Sequence, residues 1–286
     1  MEKHKGEGKK GDGQKGTVMI TGCSSGIGRD AARHLHAHGW RVIATCRRPE
    51  DLEARRAEGI EAIALDLACE QSVAEAAARA QDLGPIDALV NNAAIAIPGA
   101  VEDLPRGALR AILEVNLIGT HDLTRRLMPQ LRARRGRIVN VSSVLGLVGI
   151  PWRGAYVASK FALEGLSDVL RLEMADAGVR VILIEPGPIA TRIRENSIPH
   201  FERWIDWQAS PRAGQYRASL LKRLYEPAAR PDRFELPPAA VSAVIRRALE
   251  ARAPRARYAV TVPSRLSALG RRWLPTRALD WVARRS

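Results

Sequence analysis

Tyr156 and Lys160 stand four residues apart in a stretch of helical pattern, so their side chains share one helix face, one turn apart. A free tyrosine has a pKa of about 10 and is a poor acid–base group near neutrality. A neighbouring ammonium favours the phenolate and lowers that pKa. Lysine is also the exception in this chain. Of 45 basic residues seven are Lys, five of them within the first 15 positions, and beyond Thr17 only Lys160 and Lys222 remain among the arginines. A position that keeps Lys against this preference calls for a compact, flexible ammonium, which can bond ribose hydroxyls as a planar guanidinium would not.

A second constellation supplies a ribose. The apolar run Val18-Met19-Ile20 leads into Thr21-Gly22-Cys23-Ser24-Ser25-Gly26-Ile27-Gly28, with helical pattern following. Glycines here let the backbone turn tightly and approach a pyrophosphate, to which the next helix offers free N–H groups and its positive dipole end. The spacing is Gly-x3-Gly-x-Gly, and its place between strand and helix favours a bound dinucleotide over an empty turn. The next strand ends Ala44-Thr45-Cys46-Arg47-Arg48, where an acidic residue would bind a ribose 2′-hydroxyl and repel a 2′-phosphate. Arg47 suits a phosphate. NADP(H) is therefore expected ahead of NAD(H), which is still admissible.

These groups need elements to hold them. Strands are expected at 41–46, 60–65, 86–90, 137–141 and 179–184, and helices at 27–38, 49–57, 71–82, 105–135 and 156–177. Strand and helix alternate with short links, and strand cores such as 179–184 are unbroken apolar runs. That pattern predicts an α/β fold with a doubly wound parallel sheet covered by helices on both faces. From 192 to 236 the pattern breaks. Four prolines and six aromatic residues (Phe201, Trp204, Trp207, Tyr216, Tyr225 and Phe234) fall there without a clean strand. A helix at 237–251 and a strand at 258–262 follow. One domain is expected over 17–263, with residues 1–16 as a Lys- and Gly-rich arm or remnant and 264–286 as a tail.

With these signatures in order the chain resembles the short-chain dehydrogenase/reductase family from about Thr17 to Thr191. The further signatures are Asp66, Asn91-Asn92-Ala93-Ala94, Asn116, Ser143, and Pro186-Gly187 with Thr191. Ala94 departs from the Gly usual there. The resemblance implies a Rossmann-type sheet of about seven strands and a nicotinamide cofactor. It implies Tyr156 as general acid or base on a carbonyl or alcohol, Ser143 as a hydrogen bond to the same oxygen, and Lys160 on the nicotinamide ribose. Asn116 would hold a water relaying protons to Lys160. Gly22, Ser24, Gly26, Ile27 and Gly28 would line the pyrophosphate, and Ser25 and Arg47 the 2′-phosphate. Asp66 and Leu67 would meet the adenine, with Asn92 and Ala93 supporting the sheet-end loop. Pro186, Gly187, Ile189 and Thr191 would hold the nicotinamide. Ser142 competes with Ser143, the spacing to Tyr156 favouring Ser143. Asp66 has a second reading as a helix cap. Asn116 lies among Leu113, Val115, Leu117 and Ile118, and a buried Asn needs partners.

The stretch 145–153, with Trp152, lies between Ser143 and Tyr156 and should border the substrate. It is largely apolar, and with the aromatic segment it suits a lipophilic ketone, aldehyde or alcohol. The match looks most similar to the hydroxysteroid and retinol dehydrogenase branch. A 3-oxoacyl carrier-protein reductase is the alternative enzyme, and an NADP(H)-binding sensor the alternative of another class. The family implies a homodimer or homotetramer. No metal is expected.

The chain has 286 residues, 46% of them hydrophobic, and a net charge of +14. That composition excludes collagenous, disulfide-stapled and wholly disordered classes. Cys23, Cys46 and Cys69, odd in number and without a signal-type leader, read as reduced thiols in cytoplasm. Eleven arginines in 246–286 face Glu250 and Asp280 alone, so the charge concentrates at the C-terminus. Leu266, Leu269, Trp273, Leu279, Trp281 and Val282 sit among them at near-helical spacing, broken at Pro275. That is the composition of an amphipathic segment lying on an anionic membrane surface. No nucleic-acid motif accompanies the charge, so no nucleic acid is expected.

Overall fold

The computed structural model describes residues 15–226, 232 and 234–284. The first half runs β1 (Gly16–Ile20), α1 (Gly26–Ala37), β2 (Trp40–Cys46), α2 (Pro49–Ala57), β3 (Glu61–Ala64), α3 (Glu70–Asp82) and β4 (Ala88–Asn91). The second runs α4 (Arg106–Leu113), α5 (Thr120–Ala133), β5 (Arg137–Val141), α6 (Gly154–Glu173) and β6 (Arg180–Glu185). A lid follows, with α7 (Ile193–Trp204), α8 (Ala213–Gln215) and α9 (Leu221–Tyr225). The chain closes with α10 (Pro238–Glu250), β7 (Arg257–Ala259), α11 (Val262–Trp273) and α12 (Thr276–Ala283).

The strands form one parallel sheet in the order β3-β2-β1-β4-β5-β6-β7. Successive strand side chains point to opposite faces. Val18 and Ile20 of β1 therefore enter one core with Leu35 and Ile245, while Met19 between them enters the other with Leu89, Leu123 and Leu127. This is why the strands read as unbroken apolar runs. The order reverses between β1 and β4, which opens a crevice at their C-terminal ends.

A chain of buried polar bonds crosses the sheet to α6. Asn91 Nδ2 donates to Thr124 Oγ1 at 3.0 Å and to Asn140 Oδ1 at 2.8 Å. Asn140 Nδ2 donates to Ser167 Oγ at 2.8 Å, and Ser167 donates to the Leu163 carbonyl at 2.6 Å. α6 is thus tied to β4 and β5 by directional bonds as well as by packing.

Three expectations change in detail. The helical region 105–135 is interrupted by a π turn at Glu114–Gly119, which contains Asn116. The last strand ends at Ala259 because Thr261 accepts the Ser264 N–H at 3.3 Å and starts α11 as its N-cap. Lys15 and Gly16 belong to the fold, since Gly16 opens β1 and Lys15 Nζ pairs with Glu250 at 2.7 Å. The rest of the expected arm, residues 1–14, lies outside the described residues. Among the described residues no helix is long and apolar enough to cross a membrane. Cys23 and Cys46 are buried and Cys69 is exposed, all as free thiols.

Candidate active site

Tyr156 and Lys160 occupy the first two turns of α6, beside the end of β5. Lys160 is buried, and its Nζ donates to the carbonyl of Val141, the last residue of β5, at 2.8 Å. The ammonium also lies 5.6 Å from the Tyr156 ring centre. Ser143 caps the short turn Val144–Gly146, its Oγ accepting the Leu145 N–H at 3.1 Å. That bond holds the Ser143 hydroxyl toward Tyr156. Ser142 instead points into the interior, where it faces the buried carboxyl of Glu164.

The electrostatics differ from the simple pairing read in the sequence. Enclosure raises the Tyr156 pKa to about 12, against the downward pulls of the Ser143 hydroxyl and the Arg153 guanidinium. Burial lowers Lys160 to about 8, opposed by the Glu164 carboxylate one turn on. Lys160 directs a proton to Val141, so its effect on the phenol is not the dominant one in this state.

The π turn brings Asn116 inward. Its Oδ1 accepts the Ile95 N–H at 2.8 Å, and its Nδ2 donates to the Ile95 carbonyl and to Ser159 Oγ, both at 3.0 Å. The partners that a buried Asn needs are therefore protein groups. They join the loop after β4 to the residue preceding Lys160.

The glycine turn lies at the sheet crevice. Gly22 and Gly26 have φ of +73° and +55°, conformations that a Cβ would strain. A Cβ at Gly28 would collide with the Gly22 carbonyl oxygen, so that glycine serves the turn itself. Ser25 is the N-cap of α1 yet its side chain makes no capping bond, and the first turn of α1 holds no acidic residue. The leading N–H groups are left for an anion. Ser24 is exposed beside them, with Ile27 half-buried. Asn92 and Ala93 both donate N–H to Thr21 Oγ1, at 2.9 and 3.0 Å, which binds the β4 loop to the β1 loop. Thr191 packs against Gly26 and so approaches the same turn from β6.

Arg47 follows β2, exposed and without an ion pair among the described residues, whereas Arg48 is held by Glu50 at 3.3 Å and Asp51 at 2.9 Å. These features fit a dinucleotide. Asp66 Oδ1 accepts the Ala68 N–H at 3.0 Å, so it does shape its own turn. Leu67 is buried in the core and has only its main chain to offer. Pro186 accepts the Val144 N–H at 2.7 Å, and a Cβ on Gly187 would strike Thr261. Ile189 packs on the core and bridges to Leu236.

The lid has a core of its own. Phe201, Ile205, Tyr216, Leu220 and Leu224 are buried together with Ala100, and Tyr216 donates to Asp103 Oδ2 at 2.7 Å. Trp152 joins this cluster, its ring 4.7 Å from that of Tyr216, with φ of +67°. Tyr225 and Phe234 are exposed. Glu164 and Arg257 beside the site went unmarked in the sequence, and Arg153 was marked only as part of the stretch expected to border the substrate. Arg153 precedes Tyr156 by one turn. Glu164 follows Lys160 by one turn, a spacing visible in the sequence. Arg257 bonds Glu164, Glu185 and Asp168 behind the site.

Residues 16–201 match the short chain dehydrogenase family. The chain is 36% identical over 272 residues to the uncharacterized oxidoreductase YbbO of Escherichia coli (strain K12), covering 93% of each. It is 36% identical over 282 residues to retinol dehydrogenase 16 of Homo sapiens, covering 93% of this chain and 88% of the relative. A short chain dehydrogenase structure from Burkholderia cenocepacia, in complex with NADP, superposes with a TM-score of 0.73 at 26% identity, over 94% of this chain and 98% of that one. The chain belongs to the short-chain dehydrogenase/reductase family of oxidoreductases.

Proposed function

We propose that the protein interconverts a carbonyl and a primary or secondary alcohol with NADP(H), Tyr156 acting as general acid in reduction and as base in oxidation. The observation that carries this reading is the Tyr156 hydroxyl facing Ser143 beside Lys160, at the end of a crevice fit for a dinucleotide. The nicotinamide, when bound, gives or takes the hydride. Ser143 hydrogen-bonds the substrate oxygen and aligns it with the Tyr156 proton. Lys160 bonds the ribose hydroxyls, and the π turn at Asn116, whose side chain is taken up by Ile95 and Ser159, offers its main chain to the water through which Lys160 and Tyr156 regain a proton.

Around them, Gly22, Ser24, Gly26 and Ile27 present backbone to the pyrophosphate, and Ser25 and Arg47 take the 2′-phosphate. NADP(H) preference rests on Arg47, exposed and without an ion pair among the described residues. Asp66 and the main chain of Leu67 border the adenine, while Ile189 and Thr191 border the carboxamide. A lipophilic substrate is supported by Trp152 and the apolar lid, and by the relative named for retinol.

Two surfaces complete the reading. Ile118, Leu166, Val169 and Leu172 expose an apolar face near α5 and on α6, suited to pairing of two copies. Val262, Leu266, Leu269 and Trp273 form an exposed stripe along α11 flanked by Arg265 and Arg272, suited to an anionic membrane surface.

The test is NADPH consumption against a panel of lipophilic ketones and aldehydes, with NADH in parallel. Turnover selective for NADPH, lowered about 10²–10⁴-fold by Tyr156→Phe, is the expected result. Tight NADPH binding without turnover would favour a sensor. Binding of neither cofactor would overturn the reading.

A further inference from the structure

We propose that Arg153 recognises a carboxylate of the substrate, so that the molecule acted on is a lipophilic oxo- or hydroxy-acid with its anionic end toward the lid. This deepens the oxidoreductase reading and rests on it.

Arg153 is the N-cap of α6, a helix of 20 residues with no acidic side chain in its first turn. A cation there sits at the positive end of the helix dipole, the unfavourable end. Its guanidinium makes no hydrogen bond and no ion pair among the described residues, although the residue is half-buried. The charged groups around it are Arg194, Arg223 and Asp232 of the lid, with the Tyr156 hydroxyl on the other side. Asp232 is already shared, since its Oδ2 accepts from Arg194 at 3.3 Å and from Arg223 at 3.1 Å. Among the described residues three cations thus face this one carboxylate, and Arg153 is the one that it does not bond.

A partly buried, uncompensated cation is costly. The cost can be relieved by lowering the pKa, and burial with the two neighbouring arginines does lower Arg153 to about 10. It nevertheless stays charged near neutrality. An anion would compensate it, held between the Tyr156 hydroxyl and the arginines of the lid. The backbone fixes that place. Trp152 holds the left-handed conformation just before Arg153, and its carbonyl accepts the Gly99 N–H at 3.0 Å. Non-glycine residues hold such a conformation only when the surroundings enforce it. The guanidinium fork matches a carboxylate with two parallel bonds. Arg153 stands one turn before Tyr156, so one substrate can present its carbonyl to the hydroxyl and its carboxylate to the guanidinium. The dinucleotide's own phosphates have their places elsewhere, at the start of α1 and at Arg47.

The experiment compares oxo-fatty acids of increasing length with their methyl esters, using the full chain with NADPH. The wild type is expected to favour the best acid over its ester by about 10- to 100-fold in kcat/KM. Arg153→Gln should bring that ratio toward 1, and Arg153→Lys should restore part of it. The thermal midpoint of Arg153→Gln should be equal to or above that of the wild type, because no native bond is lost; a purely structural arginine would lower it. Tryptophan fluorescence of the NADPH-loaded protein gives a second readout, with decanoate and decyl phosphate as probes. Decanoate should bind, and should bind at least about tenfold more weakly to Arg153→Gln. Esters turned over as well as acids, an unchanged ratio in Arg153→Gln, or decyl phosphate binding tighter than decanoate would each overturn the carboxylate assignment and leave the oxidoreductase reading standing. Turnover of no acid, ester or neutral aldehyde would bring down both.

Discussion

Arg257 and Arg153 both lie against α6, and they are held in opposite ways. Arg257, behind the Lys160 side of the helix, meets Glu164, Glu185 at 2.7 Å and Asp168 at 2.7 Å. Arg153, at the start of the helix, meets no carboxylate of its own among the described residues. The chemistry of the side chain is the same in both places. A cation saturated by the protein is scaffold, because nothing is left on it for a ligand. A cation that the fold leaves unsaturated beside a reactive hydroxyl is oriented toward what arrives from outside.

The sharpest way to break this contrast is Arg257→Met. It strands the buried carboxylates of Glu164 and Glu185, which are 5% and 2% exposed. We expect a loss of about 2–4 kcal/mol in denaturant unfolding, below a fully buried network because Arg257 is itself partly open to solvent. An unchanged midpoint would show that the carboxylates take up protons instead and that the cluster is not scaffold.

The next effect is on pH dependence. Lys160 titrates at about 8 in the folded protein, so kcat/KM for reduction should fall on the alkaline side near that pH as the ammonium is lost. Glu164 holds this pKa up, so Glu164→Gln should move the limb to lower pH. The same shift has a stability sign. At Lys160 the unfolded chain binds more protons than the folded one between about 8 and about 10.4, so this group's contribution to stability rises with pH there, while the buried thiols of Cys23 and Cys46, whose pKa values burial raises, contribute with the opposite sign in the upper part of the window. Lys160→Met should remove the rising contribution and leave the falling one of the thiols. A limb that stays in place in Glu164→Gln would detach the Arg257 cluster from the chemistry.

The smallest effect tests the same distinction in the tail. Arg271 is already engaged, donating to the Gly146 carbonyl at 3.4 Å and lying 4.9 Å over the Phe161 ring. Arg265 and Arg277 are exposed and open to an anionic surface. Leu266→Glu with Leu269→Glu should lower co-sedimentation with anionic vesicles while shifting stability by no more than about 0.5 kcal/mol. Unchanged co-sedimentation would leave the stripe without a role at a membrane.

Much of the frame was legible in the sequence because period and punctuation are local. Unbroken apolar strands implied a sheet buried on both faces, and Gly39 and Pro49 marked the ends of neighbouring elements. The Tyr156–Lys160 spacing put both groups on one helix face without any knowledge of the fold. What escaped is of two kinds. The π turn at Asn116 leaves no mark in a helical pattern, since its cause is a bond to Ile95, 21 residues earlier. The Arg153 and Arg257 surroundings are assembled from distant segments, with Glu164 lying 93 residues from Arg257. In a chain with 38 arginines, nothing local tells an engaged one from an idle one. The aromatic lid residues were legible as apolar, but not as a small core that packs largely on itself.

The polar thread from Asn91 through Asn140 to Ser167 has a consequence for accuracy. An apolar helix face on an apolar sheet tolerates sliding, because greasy surface uncovered at one spot is covered again at the next. Directional bonds tolerate no such exchange, since a displaced donor finds no acceptor in the dry interior. The thread acts as an index pin that admits one setting of α6. The placement of the reactive hydroxyl is thereby decided more than two turns away, by residues that never touch what it reacts with.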